Sequence, residues 1–505
     1  MNLSEYFWRA VHRRPEAEAL VDQEVRWTYR RLAQEVEAAA AALAGQGVGQ
    51  GDHVVVLLKN RRENVVVYWA CQHLGAIYTP INYRMAPGEI AYCLADAEAK
   101  LVVAEESLRG VVEQALRNSP QVPPVLLVGA GPVWDVALPC PPAAPCAPQD
   151  PAIMLYTAGT TGRPKGVPRS HWNEIAAALA HIVQNRYMVG EVAVGVMPFY
   201  HTMGMRTLLT TAFLNGKLVL MPDYDSAELA HLIATERVSA LYLVPTLFYD
   251  LLNLRELDRY DLSALRRIGY AGAAMTGALT QACFERLKPE LFVNHFGSSE
   301  VYTFTICSWL DRKPTCAGKA GIHEEVRVVP VGAQGEEALR NLSPGEIGEV
   351  VVRLNSPEAF SGYWKRPDAN AKALRQGWYF TGDLGMWDED GDLWVKGRVD
   401  DMIISGGENI HPLEVEEVLC RHPGVQEVAV SSSEDPRWGQ VVTAFVVRRD
   451  PKLTAEDLDR FCRESDALAN FKRPRRYLFV REIPKSPVGK ILRRQLREGA
   501  YQPED

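Results

Sequence analysis

Nowhere in the sequence does an uninterrupted apolar run approach the roughly 18 residues that a membrane-crossing helix needs. The opening segment MNLSEYFWRAVHRRPEAEAL also lacks the apolar core of a secretory signal, so a cytoplasmic chain is expected. Cysteine is sparse. The nine present are an odd number with no CxxC pair, which points to neither a disulfide framework nor a zinc site and leaves buried thiols as the expectation. His323-Glu324-Glu325 lacks the second histidine of a zinc hydrolase motif, so no metal role is assigned to it. The net charge of −8 leaves no general excess of positive charge for nucleic acid. One segment runs the other way: Phe471 to Gly499 carries ten Lys or Arg against Glu482 and Glu498. It is either a solvated basic surface or a docking surface for a polyanionic small molecule.

With 47% hydrophobic and 23% charged residues, the 505-residue chain has the composition of a folded globular protein and is too long for one core. Short β-branched runs alternate with amphipathic patterns, which predicts α/β sheets. Residues 225–237, with an Asp or Ser cap, predict a helix burying Leu229, Leu232 and Ile233; residues 239–244 predict the strand after it. The Pro-rich stretch LPCPPAAPCAPQDP (138–151) supports neither helix nor central strand and predicts a connector between two α/β portions. Strand patterns at 345–353 and 388–396, with an Asp390-Gly391 turn, predict a β-rich portion before Gly397. Beyond it, a helix at 412–422, strands at 427–432 and 441–449, and a capping box at Thr454 and Asp457 predict a small α+β domain. No internal repeat is present.

The segment AIMLYTAGTTGRPKG (152–166) is an apolar strand running into glycines, hydroxyls and one lysine. Gly159, Gly162 and Gly166 let the backbone approach an anion closely, Thr157, Thr160 and Thr161 offer donors, and Lys165 adds a charge. These are the parts of a phosphate loop, though its spacing is not that of GxxxxGK[ST].

The loop YTAGTTGRPKG resembles the signature of the acyl-adenylate-forming superfamily, which includes acyl-CoA synthetases, peptide-synthetase adenylation domains and luciferases. Ala158 stands where the family usually has Ser, so one hydroxyl is missing. Four further segments match in the family's order: Tyr270-Ala-Gly-Ala-Ala274, Asn294-His-Phe-Gly-Ser-Ser-Glu300, Tyr379-Phe-Thr-Gly-Asp383 with Gly397-Arg-Val-Asp-Asp401, and Pro484-Lys-Ser-Pro-Val-Gly-Lys490. From 397 to 496 the chain resembles the benzoate-type CoA-ligase branch in particular.

The resemblance implies an α/β fold: a large N-terminal domain of α/β subdomains plus a β-rich subdomain (1–399), and a small mobile α+β C-terminal domain (400–505) with the catalytic lysine and a CoA face. It implies ATP, Mg²⁺ and coenzyme A. ATP or AMP would be held by Thr157, Gly159, Thr160, Thr161, Gly162, Lys165, Gly272, Ala273, His295, Phe296, Gly297, Ser298, Ser299, Asp383 and Arg398. Asp383 would take the ribose diol and Phe296 would stack on adenine. Glu300 would be the Mg²⁺ partner, and catalytic roles fall to Lys490, His201 and Glu300. The acyl group would lie against His201, Thr202, Met203, Ala271, Gly272 and His295. CoA would meet Glu408, Trp438, Phe471 and Arg473, and Asp400 would be the hinge.

The activity so implied is ATP-dependent activation of a carboxylic acid to acyl-AMP, then transfer to CoA. His295 directs the expectation toward a small aromatic or heteroaromatic acid with a polar substituent. Alternatives are a medium-chain fatty acyl-CoA synthetase, a stand-alone adenylation enzyme loading a carrier protein, a luciferase-like monooxygenase and a silent nucleotide sensor. The expected partners are the acid, ATP and CoA, with no nucleic acid, no membrane and, as an option, a second copy of the chain.

Overall fold

The computed structural model describes residues 1–505 apart from 130–133, 135–138, 158–162, 333–334, 406–407, 466, 487–488, 490 and 505, and only the backbone of 336 and 409. The most apolar runs become central parallel strands. His53–Leu57 lies between Ile77–Pro80 and Leu101–Glu105, and Val54, Val55, Val56 and Leu57 are each at most 1% exposed. Burial on both faces is what an unbroken β-branched run requires, because helices cover each side of such a sheet.

This six-stranded sheet ends with Pro151–Thr157 parallel to Ile77–Pro80 and Lys165–Ser170 antiparallel beyond it. The Pro-rich connector therefore does not divide two α/β portions as its composition predicts. Its Ala144 N–H donates to the His73 carbonyl at 2.8 Å, and Cys146 packs where a Cβ on Gly75 would stand, 2.6 Å from its sulfur. These contacts return the chain to the sheet it left.

A nine-stranded sheet carries Leu291–Phe296, Arg267–Tyr270, Ala240–Leu243, Val192–Gly195, Lys217–Leu220 and Glu18–Asp22 as parallel neighbours, with antiparallel strands at both edges. The expected helix is Ser226–Thr235, capped by Asp225, whose carboxylate accepts from the Glu228 N–H at 2.8 Å. The β-rich portion is a five-stranded antiparallel sheet in which Trp378–Trp387 turns at Asp390-Gly391 into Leu393–Arg398. The last sheet is built from 403–479, and Ala455–Glu464 opens with the Thr454–Asp457 capping box. The chain is thus a large N-terminal α/β domain with a smaller C-terminal one. All nine cysteines are free; six are buried, and Cys420 is exposed. Among the described residues no helix is long and apolar enough to cross a membrane.

Candidate active site

Thr157 and Lys165 face each other in register at the mouth of the phosphate loop. Gly159, Thr160, Thr161 and Gly162 lie outside the described residues, as does Lys490. The Lys165 ammonium stands 4.1 Å from the centre of the Tyr363 ring, and the Tyr363 hydroxyl donates to Glu300 Oε1 at 2.7 Å. Burial lowers the Lys165 pKa, Glu300 opposes that shift, and Arg366 and Arg398 add to it. Arg366 is paired with Asp368 and Arg398 with Asp383, while the Lys165 ammonium is a charge that phosphate would complement. Asp383 accepts from Arg398 at 2.7 Å, so the expected ribose carboxylate is already oriented by the arginine named beside it.

Glycine is forced at several of these turns. A Cβ on Gly297 would fall 2.0 Å from the Tyr302 carbonyl oxygen, so only glycine closes the turn from Phe296 to Tyr302. Inside it, Ser298 Oγ accepts from the Glu300 N–H at 3.2 Å, with Ser299 between them. Phe296 packs edge-on against Phe304, with centroids 5.1 Å apart. A divalent cation fits this place: Glu300 is 6% exposed, one of its oxygens is fixed by Tyr363, and Mg²⁺ in nucleotide sites takes one or two carboxylates with phosphate oxygens completing its shell.

A second wall comes from the residues around the Thr202–Phe213 helix. Asn60 ties its entry, donating to the Gly195 and Met197 carbonyls at 2.8 Å each and accepting from the Phe199 N–H. Gly204 lies where a Cβ would be 2.3 Å from the Pro198 carbonyl oxygen. At Gly272, with φ of +85°, an added Cβ would meet Val244 at 3.4 Å and Met203 at 3.9 Å, so the Ala271 to Ala273 turn and Met203 come together as expected. His201, just before Thr202, has a buried Nε2 without a partner among the described residues, and burial lowers its pKa to about 4. His295 is 3% exposed, bonded through Nε2 to Asn185, stacked on His181 at 4.7 Å and edge-on to Tyr242 at 5.3 Å. Its Nδ1 has no partner among the described residues, and burial lowers its pKa to about 3.

The C-terminal domain places Glu408 and Trp438 together, since Ser405 pairs with both Glu408 and Gly439. Trp438 and Phe471 are 40% and 46% exposed, whereas Arg473 is turned into a pair with Asp459. Asp400 sits in the Val399–Asp401 turn, between the β-rich sheet and the last one, with its carbonyl against Arg497. Gly489 stands against Thr246, where a Cβ would be 2.8 Å from Oγ1, so the terminal loop reaches the Pro245–Leu252 helix beside Val244. Asp388, Asp390 and Asp392 form the one carboxylate cluster of metal-holding size among the described residues. The Lys313 ammonium fills it at 2.6, 2.8 and 2.5 Å.

The sequence of the AMP-binding enzyme family matches residues 7–364, and that of the AMP-binding enzyme C-terminal domain matches residues 414–490. The chain belongs to the AMP-binding enzyme family. This AMP-binding enzyme is 35% identical to a 4-chlorobenzoate–CoA ligase of Arthrobacter sp over 97% of its own length and 94% of the relative's. It is 31% identical to the long-chain-fatty-acid–CoA ligase FadD13 of Mycobacterium tuberculosis over 96% and 95%. Its fold superposes on the anthranilate CoA ligase AuaEII, solved in complex with anthranoyl-AMP, with a TM-score of 0.89 at 27% identity, covering 99% of this chain and 97% of that one. The AMP-binding enzyme is an AMP-forming acid–thiol ligase of the acyl/aryl-CoA type, using ATP, Mg²⁺ and CoA.

Tyr363, Asn60, His181, Asn185, Tyr242, Thr246 and Arg169 escape the motif reading of this AMP-binding enzyme. Arg169 follows the phosphate-loop motif on the strand that begins at Lys165, and the others stand in segments without a signature of their own.

Proposed function

We propose that the enzyme activates a small aromatic or heteroaromatic acid bearing a polar substituent or ring heteroatom. The observation that carries the reading is His295 Nδ1, a buried polar atom with no partner among the described residues, seconded by His201 Nε2. Leaving such an atom unpaired costs about 1–3 kcal/mol, which a polar ring substituent recovers and a saturated chain does not. The 4-chlorobenzoate and anthranilate relatives support an aryl acid, while the likeness to FadD13 supports a fatty acid as the second reading.

In the proposed reaction a carboxylate oxygen attacks the α-phosphorus and pyrophosphate leaves; the CoA thiolate then attacks the acyl carbon and AMP leaves. Glu300 would hold Mg²⁺, which when bound would neutralise phosphate charge. Lys165, Thr157, Gly159, Thr160, Thr161 and Gly162 hold phosphate. Asp383 and Arg398 orient ribose, and Phe296 with Gly272, Ala273, Gly297, Ser298 and Ser299 lines the adenine slot. Lys490 enters for the first step, an arrangement favoured by the contact of Gly489 with Thr246. Rotation about Asp400, at a boundary between 1–399 and 400–505, then presents Glu408, Trp438, Phe471 and Arg473 to CoA, and Arg473 must leave Asp459 to take part. The enzyme would work in the cytoplasm. A homodimer is proposed through Trp172, Leu179 and Val183, an exposed stripe of the His171–Gln184 helix that bears no charged side chain. Sedimentation of Val183→Glu as an unaltered dimer, or of the wild type as a monomer, would remove that part.

The deciding experiment is thioester formation with ATP and CoA across aromatic, heteroaromatic and aliphatic acids. Turnover of decanoate equal to or better than every aromatic acid would reject the aryl reading in favour of the fatty one.

A further inference from the structure

We propose that Arg169 is a positioning residue for Glu300, and that Glu174, Arg206 and Tyr302 fix Arg169 for that task. The proposal rests on the reading of Glu300 as the partner of a divalent cation.

Arg169 lies on the strand that begins at Lys165, and residues four apart on a strand share a face. Lys165 meets the Glu300 side chain through Tyr363, whereas Arg169 meets the Glu300 main chain. The Arg169 guanidinium is fully buried. Its Nη1 donates to the Ser299 and Glu300 carbonyls at 3.2 and 3.3 Å, and its Nε donates to Glu174 Oε1 at 2.6 Å. The second oxygen of Glu174 accepts from Arg206 at 2.5 Å, and Arg206 also donates to the Glu174 carbonyl at 3.2 Å. Both guanidiniums lie over the Tyr302 ring, at 3.6 and 4.3 Å from its centre. Glu174 and Arg206 are 0% and 3% exposed.

Two buried cations share one carboxylate, so one positive charge is left for the Tyr302 face and the two loop carbonyls to take up. A buried charged trio is seldom more stabilising than apolar side chains of the same volume, so stability alone is a poor account of it. What apolar packing cannot supply is direction. The trio pins the two carbonyls on either side of the Glu300 main-chain N–H, while the Phe360 N–H donates to the Glu300 carbonyl at 2.8 Å and Tyr363 holds the side chain. The carbonyls of Ser299 and Glu300 and the Glu300 carboxylate are thereby each held by a donor.

The test is the affinity of Mn²⁺ for the enzyme–ATP complex, read from the electron paramagnetic resonance of free Mn²⁺, with thermal unfolding as the control for folding. Glu300→Gln is expected to weaken Mn²⁺ binding about tenfold, Arg169→Met about as much and Arg169→Lys less. The double variant Arg169→Met/Glu300→Gln should bind no more weakly than Glu300→Gln alone, because both changes act through one carboxylate. Weakening by Glu300→Gln but wild-type Mn²⁺ affinity in Arg169→Met overturns the positioning role and spares the reading of Glu300. An unaffected Glu300→Gln overturns that reading and the proposal with it. Should Arg169→Met fail to fold, Glu174→Gln and Arg169→Lys carry the test, and wild-type affinity in both overturns the proposal.

Discussion

The Tyr363 hydroxyl donates to the Glu300 carboxylate at 2.7 Å while the same ring supports the Lys165 ammonium at 4.1 Å. One aromatic side chain therefore contacts both the carboxylate and the cation. Tyr363→Phe keeps the ring and removes the hydroxyl. It should reduce acid-dependent ATP–pyrophosphate exchange by about tenfold, as expected for loss of a group that orients a ligand. Exchange at the wild-type rate would mean that Glu300 needs no such support.

Lys490→Ala should separate the two half-reactions. One well-placed electrostatic contact contributes about 10² to 10³ in rate, so adenylation should fall by that order. Thioester formation from supplied acyl-AMP should persist, because the charge between carboxylate and α-phosphate has by then been resolved. Equal losses in both assays would assign the lysine another role.

Asp400→Pro tests the hinge. Proline fixes φ near −65° and restricts Val399 as well, so a rotation that needs other torsions is hindered. Since the Asp400 carbonyl remains available to Arg497, adenylation should largely survive while transfer to CoA is slowed. Rapid mixing of the acyl-AMP enzyme with CoA measures this directly. An unchanged transfer rate in a folded variant would move the hinge elsewhere.

Acid should destabilise the fold through its buried histidines. Burial lowers His201 from 6.5 to about 4 and His295 from 6.5 to about 3. Above pH 6.5 these rings are neutral whether the chain is folded or not, and their contribution is fully present. Below it the unfolded chain takes up protons that the folded one refuses, so stability falls by about 1.4 kcal/mol per pH unit for each histidine until its folded pKa is reached. Urea midpoints between pH 6.5 and 4 should decline accordingly, and His295→Phe should flatten the decline by one histidine's share. A slope unaltered by that change would mean that His295 is charged in the fold.

Much of this enzyme is set by local sequence. The Thr454–Asp457 box caps its helix, Asp225 caps another, and the loops at Gly272 and Gly297 hold glycine because a Cβ has no room or the backbone turns left-handed. These are decisions made within a few residues, and they belong to the motifs that announce ATP chemistry. The tertiary structure alone decided where the Pro-rich connector runs, since a contact between Ala144 and His73 leaves no trace in composition. It decided that Arg473 meets Asp459 and that Lys313 fills a carboxylate cluster a cation could have held. It also decided that Arg169 meets the Glu300 main chain and Tyr363 its side chain. Those partners lie more than sixty residues apart for Glu300, and charge and hydrogen bonding act through space, so only the packed sheets and loops select which pairs meet.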